Sequence, residues 1–525
     1  MPAFRPNFIA SVLAAIRLVW FTRSKYMPYR LSLEPQHSSF LMPRIIIAAV
    51  LVLAGCTQMD PPNVIYILAD DLGYGELGSY GQTLIRTPNL DQLAAEGMRF
   101  TQHYSGSPVC APSRCTLLTG RHTGHCQVRD NYELGGFADS TERGQLPLEE
   151  STYTLGRMMQ EAGYTTAIIG KWGLGGPNSI GVPNKQGFDY FYGYLDQKQA
   201  HNHYPSHLWR NAEWDTLANG YFHPHQRFEG TDPHDPSAYD NYKGVDYAPD
   251  LMADEAEAFI RENAGGPFFL YLAHTVPHLA LQVPDEELAA YDNILSESPY
   301  DGTRGYLPHI RPQSAYAGMI SRMDAHVGQI MDVLRELGID DETLIMFSSD
   351  NGATYVGGVD TEQFHSSGGL RGGKGEVYEG GIRVPMIATW PGVIAPGSVT
   401  DHVSAFWDVM PTLAGVVSTE LTIEVDGNSF LPVLLGEQPP TPSEMYWEYH
   451  GRSWRGAQAA RIGPWKGVRL GGKDSVSAPV RVYNLVDDPA ETTDLADTHP
   501  EIASELLALM KSRSDSKIAR WNFAE

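Results

Sequence analysis

The sequence predicts an α/β fold: a large, mainly parallel sheet between layers of helices, followed by a smaller C-terminal subdomain on an antiparallel sheet. Three observations predict it. Four short apolar runs, Val64–Ala69, Thr165–Ile169, Phe268–Ala273 and Thr343–Ser348, have the length and continuity of strands buried on both faces. Helical patterns separate them. Beyond Pro439 the runs change character, with short segments at Met445–Tyr449, Gln458–Ile462, Trp465–Leu470 and Arg481–Leu485.

Each helix has its own signal. Thr87-Pro88 caps and opens one that runs through Ala95 and stops at Gly97. Thr152–Ala162 is a second, with Gly163 just past its end. Tyr316–Leu337 is the longest, and its Met319, Ile320, Met323, Val327, Ile330, Met331, Leu334 and Leu337 form a core stripe at helical spacing. Turn chemistry at Pro391-Gly392 and Pro396-Gly397-Ser398 closes the series of long elements. Met410-Pro411-Thr412-Leu413 opens a further helix, and Glu501–Arg513 carries a stripe at Ile502, Leu506, Leu507 and Met510.

Composition narrows the function. The chain has 525 residues, 42% hydrophobic and 10% aromatic, which supports a large core and excludes disorder as its main state. A formal charge of −25 excludes a general nucleic-acid binder, because phosphate attraction needs a basic face. An anionic substrate must instead be caught by a local cluster of cations. Four cysteines are too few for a disulfide scaffold.

The N-terminus is set apart from the fold. Met42-Pro43-Arg44 precedes the apolar run Ile45–Leu53, which is too short to span a bilayer, and then Leu53-Ala54-Gly55-Cys56. This order resembles a bacterial lipoprotein signal. It implies removal of residues 1–55, lipid on Cys56 and a catalytic body anchored to a membrane in the periplasm or at the cell surface, with the outer membrane expected. The remaining chain divides into a catalytic domain, 56–438, and a C-terminal subdomain, 439–525.

The chemical signal lies just past the end of each strand. Val64–Ala69 runs into Asp70-Asp71, Thr165–Ile169 into Gly170-Lys171, Phe268–Ala273 into His274 with His278 beyond it, and Thr343–Ser348 into Asp350-Asn351. Open α/β sheets bind ligands beyond the carboxyl ends of their strands, so these residues point to one converging site. Asp70, Asp71, Asp350 and Asn351 offer only oxygen, the preference of Ca²⁺ or Mg²⁺. Zinc fits less well: Pro277 between His274 and His278 opposes a regular helical face.

The stretch Cys110-Ala111-Pro112-Ser113-Arg114, followed by Leu118-Thr119-Gly120-Arg121, resembles the type I sulfatase signature. The resemblance continues through Ala69-Asp70-Asp71-Leu72-Gly73, Thr87-Pro88-Asn89-Leu90-Asp91, Gly170-Lys171-Trp172, Ser349-Asp350-Asn351-Gly352 and Gly372-Gly373-Lys374. A tail pattern at Tyr483-Asn484-Leu485, Asp488-Pro489 and Glu491 extends it nearly to the end. It implies an arylsulfatase A-like member of the alkaline-phosphatase-like superfamily.

In that family a maturation enzyme, a transient partner, oxidises the cysteine to formylglycine (3-oxoalanine). One hydroxyl of the hydrated aldehyde attacks sulfur and loss of a proton from the other expels sulfate. The resemblance therefore implies that Cys110 is the modified nucleophile and a metal ligand beside Asp70, Asp71, Asp350 and Asn351. Arg114 holds the hydrate and its metal environment. Lys171 and Lys374 grip sulfate oxygens, and His278 contacts sulfate and protonates the leaving alcohol. His201 matches a substrate-contacting position, and His203 is a second candidate.

One position departs from the pattern. The family's Gly-Lys-Trp-His-Leu-Gly reads Gly170-Lys171-Trp172-Gly173-Leu174-Gly175 here, so a histidine that touches the formylglycine is replaced by Gly173. Cys115 and Cys126 are compatible with a disulfide or with two buried thiols, and His122–His125 with packing or substrate contact. Trp209 and Arg210, with Trp447, Tyr449, His450 and Trp454, suit a saccharide pocket, so the expected substrate is a sulfated carbohydrate. The alternatives are a phosphatase or phosphonate ester hydrolase of the same superfamily, and a non-catalytic lipoprotein that binds sulfated glycans.

Overall fold

The first strand, β1 (Asn63–Ala69), shows why the central strands form. Ile65, Ile67 and Ala69 enter one core, Val64, Tyr66 and Leu68 enter another, and none of the six is exposed. Burial on both faces removes any need for polar alternation. The structure is a computed structural model that describes residues 61–440, 444–451, 455–515 and 519–523. The expected signal and lipidation site at Cys56, and Trp454, lie outside the described residues.

The other strands of the large sheet are β2 (Met98–Tyr104), β3 (Thr165–Lys171), β4 (Tyr190–Tyr194), β5 (His207–Arg210), β6 (Glu213–Thr216), β7 (Phe268–Ala273), β8 (Thr343–Ser349), β9 (Arg383–Thr389), β10 (Ser398–Thr400) and β11 (Ser404–Ala405). Their order is β10-β2-β9-β8-β1-β7-β3-β4-β5-β6, with β11 also on β2. The central strands β8, β1, β7, β3 and β4 are parallel, while β9 joins β8 and β2, and β5 joins β4 and β6, in antiparallel pairs. The sheet is thus mixed and mainly parallel, as the alternating pattern predicts.

Helices cover both faces. α1 (Pro88–Glu96), α2 (Cys110–Thr119), α3 (Leu155–Glu161), α4 (Ala248–Asn263), α5 (Pro312–Leu337) and α6 (Val409–Val416) are the main ones. α1, α4 and α5 share a core with Ile65, Ile67, Leu270 and Leu272, while α2, α3 and α6 share one with Val64, Tyr66, Phe269 and Tyr271. The stripe predicted for Tyr316–Leu337 is buried as far as Leu334, while Leu337 is half-buried against the same core, and α5 starts earlier, at Pro312. α3 is shorter than its pattern suggests because the Thr154 hydroxyl caps it, accepting from Arg157 N–H.

The second sheet is antiparallel, β12 (Glu444–Tyr449), β13 (Ala457–Ile462), β14 (Trp465–Leu470) and β15 (Val480–Asn484), covered by α7 (Pro500–Arg513). The described residues form a single compact unit. Its two sheets are joined by a buried ion cluster. Lys466 Nζ on β14 lies 2.8 Å from Glu379 Oε1 and 3.1 Å from Glu491 Oε1, with all three side chains 0% exposed. Glu491, part of the tail pattern, also accepts from Glu379 N–H at 2.6 Å.

Removing one partner of a buried ion pair leaves charge unpaired and costs about 3–5 kcal/mol. Lys466→Met should therefore lower unfolding free energy by about that amount, read from the midpoint of a urea transition. An unchanged midpoint would show that the cluster does not join the sheets energetically. Among the described residues no helix is long and apolar enough to cross a membrane.

Candidate active site

β1 and β8 pair in parallel register with Ala69 beside Ser349, so the next residues along each strand, Asp70-Asp71 and Asp350-Asn351, emerge side by side. Asp71 N–H donates to Asp350 Oδ1 at 3.1 Å, and Asn351 Nδ2 donates to Asp71 Oδ1 at 2.8 Å. Asp71 has φ 69°, a left-handed conformation that costs a non-glycine residue about 1–3 kcal/mol and collects at functional sites. All four residues are buried.

α2 starts at Cys110, with Val109 as N-cap, so the thiol sits on the first turn, at the positive end of the helix. Its Sγ lies 3.5 Å from Asp70 Oδ1. Burial pushes the thiol pKa up to about 12 against the pull of Lys171 and Lys374. Arg114, one turn further, is fully buried, and Nε and Nη2 donate to Asp350 Oδ2 at 3.1 and 2.9 Å. Its Nη1 donates to the Lys171 carbonyl at 2.6 Å.

Lys171 ends β3 and places Nζ 2.5 Å from Asp70 Oδ2; Lys374 places Nζ 2.6 Å from Asp71 Oδ2. Three carboxylates thus meet three cations. Lys171 and Arg114 hold Asp70 below its usual pKa despite burial. Burial raises Asp71, and burial together with the neighbouring Asp70 pushes Asp350 up to about 7.

The donor set fits a hard divalent cation. Oxygen and sulfur atoms of Asp70, Asp71 and Cys110 and a ring nitrogen of His278 all lie within 4.8 Å of one another. Asn351 Oδ1 is buried with no hydrogen-bond partner. An orphaned carbonyl oxygen beside crowded carboxylates is what an oxygen-seeking ion would satisfy.

His278 Nδ1 donates to the Leu279 carbonyl at 2.6 Å, which leaves Nε2 unprotonated in the neutral ring and 3.8 Å from Asp71 Oδ2. Burial and the ammonium groups of Lys374 and Lys171 push its pKa well down. His201 stacks on His278 with centroids 4.8 Å apart, and its Nδ1 meets His225 Nε2 at 3.0 Å. Cys110, His201, His278 and Lys374 line one cavity of about 280 Å³ with Asn131, Gln197, Tyr306, Tyr355 and Tyr449.

Several candidates sit elsewhere. His203 is absent from that cavity lining: Nε2 donates to the His278 carbonyl at 2.8 Å, so it positions the backbone that carries His278. His274, expected to converge, instead meets His326 at 3.0 Å under α5, and His326 continues to Asp250. Trp209 binds Glu142, and Arg210 pairs with Glu255 and Asp215, away from the cavity. Trp447 is core, with Nε1 on the Ser105 carbonyl, and His450 turns to Glu448; among the described residues of that group only Tyr449 lines the cavity. His125 pairs with Asp426 and, like His122, is absent from the lining, while Cys115 and Cys126 are buried free thiols.

Strand ends that deliver hard oxygen donors and cations around one nucleophile position define a hydrolase of the alkaline-phosphatase-like superfamily. Residues 62–419 match the family described as Sulfatase, and residues 373–516 match N-sulphoglucosamine sulphohydrolase, C-terminal. Arylsulfatase A of Bos taurus is 34% identical over 494 residues, 87% of this chain and 88% of that protein. N-acetylgalactosamine-6-sulfatase of Canis lupus familiaris is 32% identical over 407 residues, 75% of this chain and 69% of that one. The crystal structure of Ps i-CgsB in complex with k-i-k-neocarrahexaose superposes with a TM-score of 0.71 at 26% identity, covering 89% of this chain and 95% of that one. The chain belongs to the sulfatase family and is a type I sulfatase, an enzyme that hydrolyses sulfate esters.

Proposed function

We propose that the enzyme releases inorganic sulfate from a sulfated carbohydrate, with Cys110 matured to formylglycine by a separate enzyme and one Ca²⁺ (or Mg²⁺) held by Asp70, Asp71, Asp350, Asn351 and the modified residue. The observation that carries the substrate class is the cavity wall. Tyr306, Tyr355 and Tyr449 line it beside Cys110, and Phe137, His201 and His225 form a second ring cluster, with Phe137 and His225 centroids 4.9 Å apart. Sugar rings lay their C–H faces on aromatic rings and offer hydroxyls to imidazoles and phenols. The oligosaccharide named with Ps i-CgsB and the amino sugar named for the Canis sulfatase support the same class.

A cation held by these carboxylates would, with the aldehyde hydrate, supply a hydroxyl nucleophile at neutral pH. The chain's own groups do the rest. Lys171 and Lys374 rest on Asp70 and Asp71; with those carboxylates holding a cation, both ammonium groups would be free to grip sulfate oxygens and stabilise the charge developing there. Arg114, fixed on Asp350 and on the Lys171 carbonyl, keeps the helix start and the lysine in place. An anionic ester beside His278 opposes the burial and the cations that depress its pKa, so its Nε2 takes a proton from water as the ester binds and donates it to the leaving oxygen.

Free sulfate from a panel of defined sulfated saccharides tests the reading, with an aryl sulfate and an aryl phosphate alongside. Release from at least one saccharide is expected. Strong turnover of the aryl sulfate with no active saccharide rejects the carbohydrate. Faster cleavage of the phosphate moves the reading to the phosphate and phosphonate ester hydrolases. The anchored location at a bacterial periplasmic membrane or cell surface rests on residues 42–56 alone. Cys56→Ser should move the protein from the membrane to the soluble fraction; unchanged fractionation rejects the anchor.

A further inference from the structure

Gly173 and Gln197 meet at the edge of the catalytic cavity. β3 and β4 pair in parallel with Lys171 beside Tyr194, so the segments beyond them run together, and Gly173 N–H donates to the Leu195 carbonyl at 3.2 Å. Gly173 has φ 76°. A Cβ placed there would lie 2.0 Å from Gln197 Nε2, 2.5 Å from its Cγ and 2.6 Å from its Cδ. The side chain of Gln197 occupies the room that a residue larger than glycine would take.

That side chain is held as a contact group is held. The Gln197 backbone N–H donates to Gln145 Oε1 at 3.0 Å, and the neighbouring Asp196 accepts from Gly144 N–H and Lys198 N–H, each at 2.8 Å. The loop is therefore fixed on both sides of it. Gln197 is only 4% exposed, yet Nε2 has no hydrogen-bond partner. It lines the same cavity as Cys110, His201, His278 and Lys374. A buried amide left unpaired in a native site calls for a partner from outside the chain. In a cavity lined by the Lys374 ammonium and the imidazoles of His201 and His278, that partner is an anionic oxygen.

We propose that Gln197 binds substrate: its carboxamide donates a hydrogen bond to an oxygen of the bound sulfate ester, in the space opened by Gly173. The proposal rests on the reading that this cavity hydrolyses a sulfate ester. An amide neither gains nor loses a proton near neutral pH, so Gln197 orients the anion and serves as neither acid nor base. The proton traffic of the reaction stays with the histidines.

The test uses matured full-length enzyme, an aryl sulfate substrate and inorganic sulfate as a competing ligand. Gln197→Ala should lower kcat/KM about 10- to 100-fold and weaken sulfate inhibition by a similar factor, the loss that accompanies one hydrogen bond to a charged group. The shape of its pH profile should not change. Gln197→Glu keeps the size and adds charge, so it should bind sulfate more weakly than Gln197→Ala at neutral pH and recover as its carboxyl protonates on acidification. A purely packing role predicts no such recovery. Gly173→Ala, whose Cβ displaces the amide, should lower sulfate affinity like Gln197→Ala, and the double variant should lose little more; this pair decides the matter if Gln197→Ala does not fold. Unchanged sulfate inhibition and kcat/KM in Gln197→Ala, or full additivity in the double variant, overturns the role of Gln197. Wild-type enzyme that binds sulfate but releases none from any ester overturns the reading of the site instead.

Discussion

Asp71→Ala is expected to abolish turnover, with kcat/KM down by at least about 10³-fold, and to remove the stabilisation that a divalent cation confers. Asp71 is buried in a left-handed conformation, between the amide of Asn351 and the ammonium of Lys374. Its carboxylate is thus shared between a cation site and a sulfate-binding lysine. An ion bound at about 1,000 times its dissociation constant contributes about 4 kcal/mol to stability. Chelation should therefore lower the melting temperature of the wild type and leave Asp71→Ala almost unmoved. The carboxyl groups set the sign with pH. Asp350 is pushed up to about 7 and Asp71 is also raised, so without a cation the folded protein holds protons that the unfolded chain releases above about 4. Stability of the metal-free protein then falls as pH rises through that window. A cation binds the ionised carboxylates and offsets the loss, so the gap between metal-loaded and chelated melting temperatures should widen from about pH 5.5 to about pH 8. A gap that is absent, or that narrows with pH, rejects these carboxylates as the cation site.

The legible part of this site was the part written at strand ends. Strands buried on both faces announce themselves as apolar runs, and Asp70, Lys171 and Asp350 stand just where those runs stop. His274 stands there too and goes elsewhere, for a reason of parity. Ala69 faces the α5 side, so Asp70 turns to the α2 side; Ala273 faces the α2 side, so His274 turns under α5. A run of uniformly apolar residues does not disclose which face its first member takes. Gly170, at φ 117°, breaks the alternation and lets Lys171 reach Asp70. β4 was hidden for another reason: Tyr190-Phe191-Tyr192-Gly193-Tyr194 lacks aliphatic residues and is interrupted by glycine. Read as a strand, it would have drawn attention to Gln197 by the same strand-end rule. Trp447 and His450 misled because aromatic residues serve cores as readily as pockets; Trp447 and Tyr449 share one face of β12, and only Tyr449, at the strand's end, reaches the cavity.

Cys110→Ala is expected to lose at least about 10⁴-fold in activity, and wild-type activity should scale with the fraction of chains converted to the aldehyde. The argument is electrostatic. With its pKa pushed up to about 12 by burial, the Cys110 thiol is ionised in fewer than about one molecule in 10⁴ at neutral pH. Lys171 and Lys374 lower that value, but desolvation outweighs them, and Asp70, 3.5 Å from Sγ, repels a thiolate further. The pocket that suits an anionic ester therefore keeps the unmodified thiol protonated. A hydrated aldehyde needs no such ionisation before it meets a cation, because its hydroxyl oxygens are hard donors like those of Asp70, Asp71 and Asn351. Protein produced with and without the maturation enzyme should differ in activity by the same factor as the aldehyde content of the Cys110 peptide, measured by mass spectrometry. Full activity in protein whose Cys110 peptide carries only thiol would overturn the assignment, and so would an aldehyde-bearing enzyme with no esterase activity towards any sulfate ester.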